Sequence, residues 1–383
     1  MRLTLVIASL AAGGAERVLS MLANHWAARG DTVALLTLSP VATDFFPVDP
    51  QVVRVGLDLI GTSRSTVQAA LANVRRIRAL RRTVRQQCPD VVVSFGDQSN
   101  VLALLATTGL GVPVVISERT DPHRHNPGKI WHGARALAYP LADAIVVQNE
   151  HIAGWARERI PRVSCWIISN PVARPRSPQP APSTDELPHR VVTIGRLSSE
   201  KGCDVLLKAF ARVAGEFPQW TLRIIGEGPD RAALVEQAAR LGLGPRLNFT
   251  GALAEPWAGL DEHDLFVLAS RYEGEPNALL EAMAAGVPAI ASRACGVLED
   301  GVTGLVVPED DPGALAQAIL RLARDRPLAR RLARAAREKM TDRSPARILA
   351  EWDRVLSSVQ RSSSRARQLA TTSRTVDRSL DKV

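Results

Sequence analysis

With 383 residues, 46% of them hydrophobic and 23% charged, the chain is too long for one ordinary domain and has the balance of a soluble globular protein, so two domains are expected. A formal net charge of +9 implies an anionic partner, which could be nucleic acid, a membrane surface or a phosphorylated ligand, while 4% aromatic residues argues against stacking platforms for single-stranded nucleic acid. Four cysteines, Cys88, Cys165, Cys203 and Cys295, stand far apart with no CxxC spacing, which argues against a zinc site and for a reducing, cytoplasmic compartment.

At the start, residues 1–12 combine an arginine, an apolar run and small residues, so a signal peptide has to be weighed. The better reading is a buried strand over 3–8, a turn at Gly13 and Gly14, and a helix over 15–28 closed by Gly30, the opening of a doubly wound domain. Such a turn points backbone N–H groups at an anion, although no G-x-G-x-x-G is present. Strands over 33–38, 91–94, 114–117 and 144–147 alternate with helices, which predicts a parallel sheet.

Between Asp58 and Asp90 lie seven arginines and no acid, most of them in a helical stretch over 66–87. Val74, Ile77, Leu80 and Val84 form one stripe, and Arg75, Arg78, Arg82 and Arg85 share an arc of roughly 80°. A solvated face over a core-packed stripe explains this as well as docking to anionic lipid or a diphosphate-linked acceptor does. No apolar run reaches the roughly 18 residues of a bilayer span.

Residues 117–125 read Ser-Glu-Arg-Thr-Asp-Pro-His-Arg-His directly after a strand. Asp121, His123 and His125 could approach a metal, but a bare H-x-H does not supply a full ligand set, so no metal is expected. Further on, Ser169-Asn170-Pro171-Val172 precedes a stretch over 174–189 with five prolines and little to pack, the expected linker between a domain over 1–173 and one over 190–343. The second domain opens with a strand over 191–194 and Gly195-Arg196-Leu197-Ser198-Ser199-Glu200-Lys201-Gly202. A strand over 222–225 leads to Gly226-Glu227-Gly228-Pro229, where Arg231 occupies the place of a third glycine and removes the case for a nicotinamide cofactor.

Residues 264–307 organise the chain. A buried strand over 265–268 gives way to a polar loop over 271–275 and then to a helix over 278–285, begun by Pro276 and ended by Gly286. That geometry lets the carboxylates of Glu273 and Glu281 face one crevice, where a ligand with several hydroxyls could use both. Beyond it come helices rich in Ala, Arg and Leu, a helix over 344–359 that crosses back to the first domain, and a polar basic tail over 360–383 with the composition of a disordered segment.

The run E-G-x-P-N-x-x-x-E-A-M-A-x-G-x-P, with its Glu-x7-Glu, together with G-R-L-x-x-x-K-G and G-x-G-P, resembles the signature of the retaining glycosyltransferases of family 4. The stretch S-E-R-x-D-P is similar to that of members acting on polyprenyl-diphosphate-linked glycans. The resemblance implies an α/β chain of the GT-B fold, with two doubly wound Rossmann-like domains, a cleft between them and a C-terminal helix crossing back. It implies a hexose or N-acetylhexosamine donor activated as a nucleotide diphosphate, a glycan or lipid-linked acceptor and no cofactor; the arginine face over 66–87 adds an anionic membrane surface at the cytoplasmic face as an expected partner, and the low aromatic content argues for no nucleic acid. By the same resemblance Glu281 holds ribose hydroxyls, Glu273 the sugar hydroxyls, and Arg196 with Lys201 the diphosphate. Gly13 and Gly14 add backbone donors, while Gly274, Asn277, Glu118 and His123 join the substrate-binding set.

Two departures stand out. Glu275 brings a negative charge where the family carries an apolar or small residue, and the stretch between Gly296 and Glu299 is several residues short. Both leave room for a binding protein that kept the fold, or for a GT-B enzyme of another reaction type such as an epimerase.

Overall fold

A computed structural model describes residues 1–61, 65–172, 190–253, 256–257 and 264–380, with side chains through 362. The expected linker over 174–189 lies outside the described residues. The chain divides into two compact units: Met1–Ala11, Ala15–Ser169 and the stretch from Ile348 onward make one, and Ala12–Gly14 with Asn170–Arg347 make the other.

The first unit runs β1 (Arg2–Ile7), α1 (Gly14–Ala28), β2 (Thr32–Thr37), β3 (Val53–Gly56), α2 (Thr66–Gln87), β4 (Val91–Phe95), α3 (Asp97–Thr107), β5 (Val114–Ser117), α4 (Lys129–Ala138), β6 (Ala144–Val147), α5 (Glu150–Arg159) and β7 (Ser164–Ile167). Its seven strands are all parallel in the order β3-β2-β1-β4-β5-β6-β7. Alternation along β1 sends Leu3, Leu5 and Ile7 into one apolar layer and Val6 into the other. The edge strands β3 and β7 are only half-buried, and β3, reading VRVG, carries no apolar run to mark it.

The second unit runs β8 (Arg190–Ile194), α6 (Cys203–Glu216), β9 (Thr221–Ile225), α7 (Arg231–Arg240), β10 (Leu247–Gly251), β11 (Asp264–Leu268), α8 (Asn277–Ala285), β12 (Ala289–Ser292), β13 (Leu305–Val307), α9 (Pro312–Arg324) and α10 (Arg326–Lys339). Its sheet is also parallel, in the order β10-β9-β8-β11-β12-β13. Helix α8 begins after Pro276 and ends on Gly286 in the left-handed conformation.

The last helix, α11 (Pro345–Leu380), returns to the first unit. There Trp352 stacks on Phe95 at 5.4 Å and meets Trp26 edge-on at 6.4 Å, and the Trp26 indole donates to Asp353 Oδ1 at 2.8 Å. The helix does not stop near 359 as the composition suggests: residues 360–380 contain neither glycine nor proline, and it continues to Leu380.

Helix α2 departs from its expected pattern. Leu80 and Val84 are buried, but Val74 is 42% exposed, and Leu71 and Val67 are more so, at 57% and 67%. The stripe packs only in its C-terminal half, while Arg75, Arg78, Arg82 and Arg85 all lie exposed. Arg76 and Arg81 instead turn to backbone carbonyls, of Leu59 and of Ala106 and Thr108.

Candidate active site

In a doubly wound sheet, ligands gather outside the carboxyl ends of the strands where the order reverses. In the second unit that point lies between β8 and β11, so the loops leaving these two strands build the site. The β8 loop is held by glycines at two close approaches. Gly202 has φ +64°, and a Cβ there would stand 2.0 Å from the Ala269 carbonyl oxygen at the end of β11; Gly226 has φ +149°, and a Cβ there would stand 1.9 Å from the Gly195 oxygen. Neither position has room for a side chain, so G-R-L-x-x-x-K-G and G-x-G-P are packing devices that hold three strand ends together.

Lys201, at the end of that loop, reaches Glu273 after β11: Nζ lies 2.7 Å from Oε1 and 2.9 Å from Oε2, and Ser270 Oγ donates to Oε1 at 2.7 Å. Burial alone would lower the Lys201 pKa, but the charge of Glu273 outweighs it and the ammonium is held above its ordinary value. Arg271 fastens the back of the site by pairing with Asp204 and Asp310. The buried Cys295 thiol lies behind it, raised to about 12 by burial and then by the charge of Glu273. Arg196 is exposed at the same edge, and among the described residues no acid pairs with it. Gly274 is buried in the loop, and Asn277 opens α8. Glu281, one turn into α8, is buried and accepts from the Trp257 indole N–H. Trp257 has no place in the motif, and the sequence carries no signal for it beyond being one of seven tryptophans.

In the first unit the order reverses between β1 and β4. Gly13 and Gly14 lie where β1 turns into α1, and Asp97 opens α3 directly after β4. The loop after β5 brings His125 Nε2 to 3.2 Å from Asp97 Oδ2. That hydrogen bond raises the His125 pKa; burial would raise that of Asp97, but the bonds from His125 and the Gln98 amide take it below the usual carboxylate range. His123 is exposed instead, its ring 4.9 Å from that of His151, whose Nε2 is 3.5 Å from Asp121.

Glu118, expected among the substrate-binding residues, lies inside the unit and not at its surface. Its amide continues the β ladder by donating to Val146, which turns the side chain inward, where it is 1% exposed and accepts from Tyr139 Oη at 2.7 Å. Burial first, and then the charge of Asp97, push its carboxyl up to about 7.

Nor does Glu275 add a free negative charge to the donor side. Its side chain is 3% exposed, pairs with Arg343 and accepts from the Asn170 amide at 2.5 Å. Directly after the short stretch the chain folds back on itself, with the Glu299 amide donating to Thr303 Oγ1 at 2.8 Å and the Gly301 amide to the Gly304 carbonyl at 2.9 Å. Among the described residues no three His, Cys, Asp or Glu side chains come together as a metal site, and no helix is long and apolar enough to cross a membrane.

Two parallel sheets, each with a polar constellation at its switch point, define a GT-B chain. Residues 13–171 match the family model described as glycosyl transferase 4-like domain, and residues 188–325 match the one described as glycosyl transferases group 1. Together these take in most of the chain, which belongs to the family-4-like glycosyltransferases. It is 27% identical over 365 residues to the GalNAc-alpha-(1->4)-GalNAc-alpha-(1->3)-diNAcBac-PP-undecaprenol alpha-1,4-N-acetyl-D-galactosaminyltransferase of Campylobacter jejuni, covering 94% of this chain and 99% of that one. Among solved structures it resembles sucrose-phosphate synthase of Thermosynechococcus elongatus, with a TM-score of 0.76 and 20% identity over 97% of this chain and 99% of the other. It also resembles Alr3699/HepE of Anabaena in complex with UDP and glucose, with a TM-score of 0.74 and 21% identity over 94% of this chain and 100% of the other.

Proposed function

We propose that this glycosyltransferase moves a hexose or N-acetylhexosamine from a UDP-sugar to a glycan acceptor carried on a lipid diphosphate, with retention at the anomeric carbon and without a metal ion. The observation that carries the reading is the Lys201–Glu273 pair at the switch point of the second sheet, with Glu281 on the helix that follows. Lys201 and Arg196 neutralise the charge that develops on the diphosphate as its bond to the anomeric carbon breaks. Glu273 holds Lys201 in place and meets the sugar hydroxyls, and Glu281, oriented by Trp257, takes the ribose. The acceptor oxygen bonds to the anomeric carbon from the face the diphosphate leaves, and the acceptor proton passes to the departing phosphate oxygen, so Glu273 is not called on as a base.

The lipid-linked acceptor draws support from the name of the Campylobacter relative, and UDP from the Anabaena complex. The exposed arginines of α2 beside Val67, Leu71 and Val74 suit reversible attachment to anionic lipid at the cytoplasmic face. A screen of nucleotide sugars with the purified protein and a polyprenyl-diphosphate-linked glycan tests the reading. The expected outcome is turnover of a UDP-hexose or UDP-N-acetylhexosamine to an α-linked product, undiminished in EDTA. No turnover of any nucleotide sugar overturns the transfer reading, a β-linked product overturns retention, and loss of activity in EDTA overturns metal independence.

A further inference from the structure

We propose that Glu275 is a positioning residue that ties the donor-side loop to the two stretches by which the chain enters and leaves the second unit. The inference rests on the reading of this loop as the donor side.

Asn170 is the first residue of the segment that makes up most of this unit, and Arg343 lies just before its last residue, Arg347. Both close on Glu275. The Asn170 amide donates to Oε2 at 2.5 Å, Asn170 Nδ2 donates to the Glu275 carbonyl at 3.1 Å, and the Arg343 guanidinium pairs with Oε1. Val172 completes the knot by donating its amide to the Arg343 carbonyl at 2.9 Å. A buried carboxylate is not left unpaired without a heavy penalty, so these residues keep or lose their arrangement together.

On its other side Glu275 is two residues from Glu273, which grips Lys201, and two residues from Asn277, which opens the helix carrying Glu281. Little slack separates them, because Gly274 is buried and Pro276 fixes its own φ at −78°. Displacing Asn170 or Arg343 therefore displaces the loop, and a ligand that tightens the loop restrains the two crossings. The family pattern offers no reason for a carboxylate here, and this knot supplies one.

Hydrogen exchange read by mass spectrometry tests the coupling, first without ligand. Arg343→Gln lies far along the chain from the loop, yet it is expected to speed exchange at least tenfold both at 170–172 and at 270–278. Glu275→Gln is expected to do the same. An Arg343→Gln effect confined to the neighbourhood of residue 343 overturns the proposal, and should Glu275→Gln fail to fold, Arg343→Gln alone decides. With UDP as probe, the wild type should slow at both stretches and Glu275→Gln only at 270–278. Absence of calorimetric UDP binding to the wild type would count against the donor reading, while the ligand-free comparison still decides the coupling.

Discussion

The carboxyl edges of the two sheets are built on one plan and differ in which of their groups titrate near neutrality. In the second unit the switch point holds a fixed ion pair, Lys201 with Glu273, whose ammonium stays charged throughout the physiological range. In the first, the same topological position holds the hydrogen-bonded Asp97 and His125, and behind them a buried Glu118 with a carboxyl near 7 under Tyr139. A standing positive charge suits a leaving diphosphate, whose negative charge grows in the transition state. One sheet plan thus carries either a fixed ion pair or groups that titrate near neutrality at its strand ends.

Breaking the charged edge has the largest expected effect. Lys201→Ala removes a preorganised cation and leaves Glu273 without its partner, and kcat/KM for transfer should fall on the order of 10²-fold or more, about 3 kcal/mol. Steady-state kinetics decide it, and a rate near wild type would mean that the pair is structural and the comparison empty.

The edge of the first unit responds to pH instead. Glu118 is held above its unfolded value, so the folded state binds the extra proton and stability falls as pH rises from about 4.5 through about 7. Glu118→Gln cannot ionise and escapes this loss. Its stability relative to wild type should climb over that window by up to about 3 kcal/mol, at about 1.4 kcal/mol per pKa unit. Chemical denaturation at a series of pH values measures it, and a constant difference would show that the carboxyl is already ionised. His125, raised by Asp97, also gives up stability as pH rises, in wild type and variant alike.

The smallest effect concerns the surface. Replacing the single exposed Arg78 by Gln should weaken binding to anionic vesicles by about 1 kcal/mol, roughly fivefold, and the difference should fade toward 1 M salt as the Debye length contracts to about 3 Å. Equal co-sedimentation of wild type and variant at low salt would reduce the α2 arginines to a solvated face.

Much of the charged edge was legible because it is written in contiguous motifs whose glycines are packed against neighbouring strand ends, leaving no freedom for other residues. Central strands were legible as well, since burial on both faces demands apolar runs. Edge strands such as β3 and β10 were not, because a half-buried strand tolerates sequences like VRVG and LNFTG. Trp257 escaped because its partner Glu281 is 24 residues away and no period links them. Asp97 looked like an ordinary first-turn acid, and only the fold brings His125 to it. The burial of Glu118 was not legible for a geometric reason: one residue past β5 the backbone still follows the ladder, so the first polar residue of the loop points in and not out.

The order in which the polypeptide is made bears on the last helix. Trp352, Val355, Leu356 and Val359 are almost wholly buried in the layer that contains Leu3, Leu5 and Trp26. During synthesis that layer stays unfinished, with Phe95 and Trp26 lacking the ring between them, until residues 170–347 have left the ribosome. The earlier segment is thus completed by a later one, and the second unit, whose core among the described residues includes none from α11, is free to fold while its elder neighbour waits.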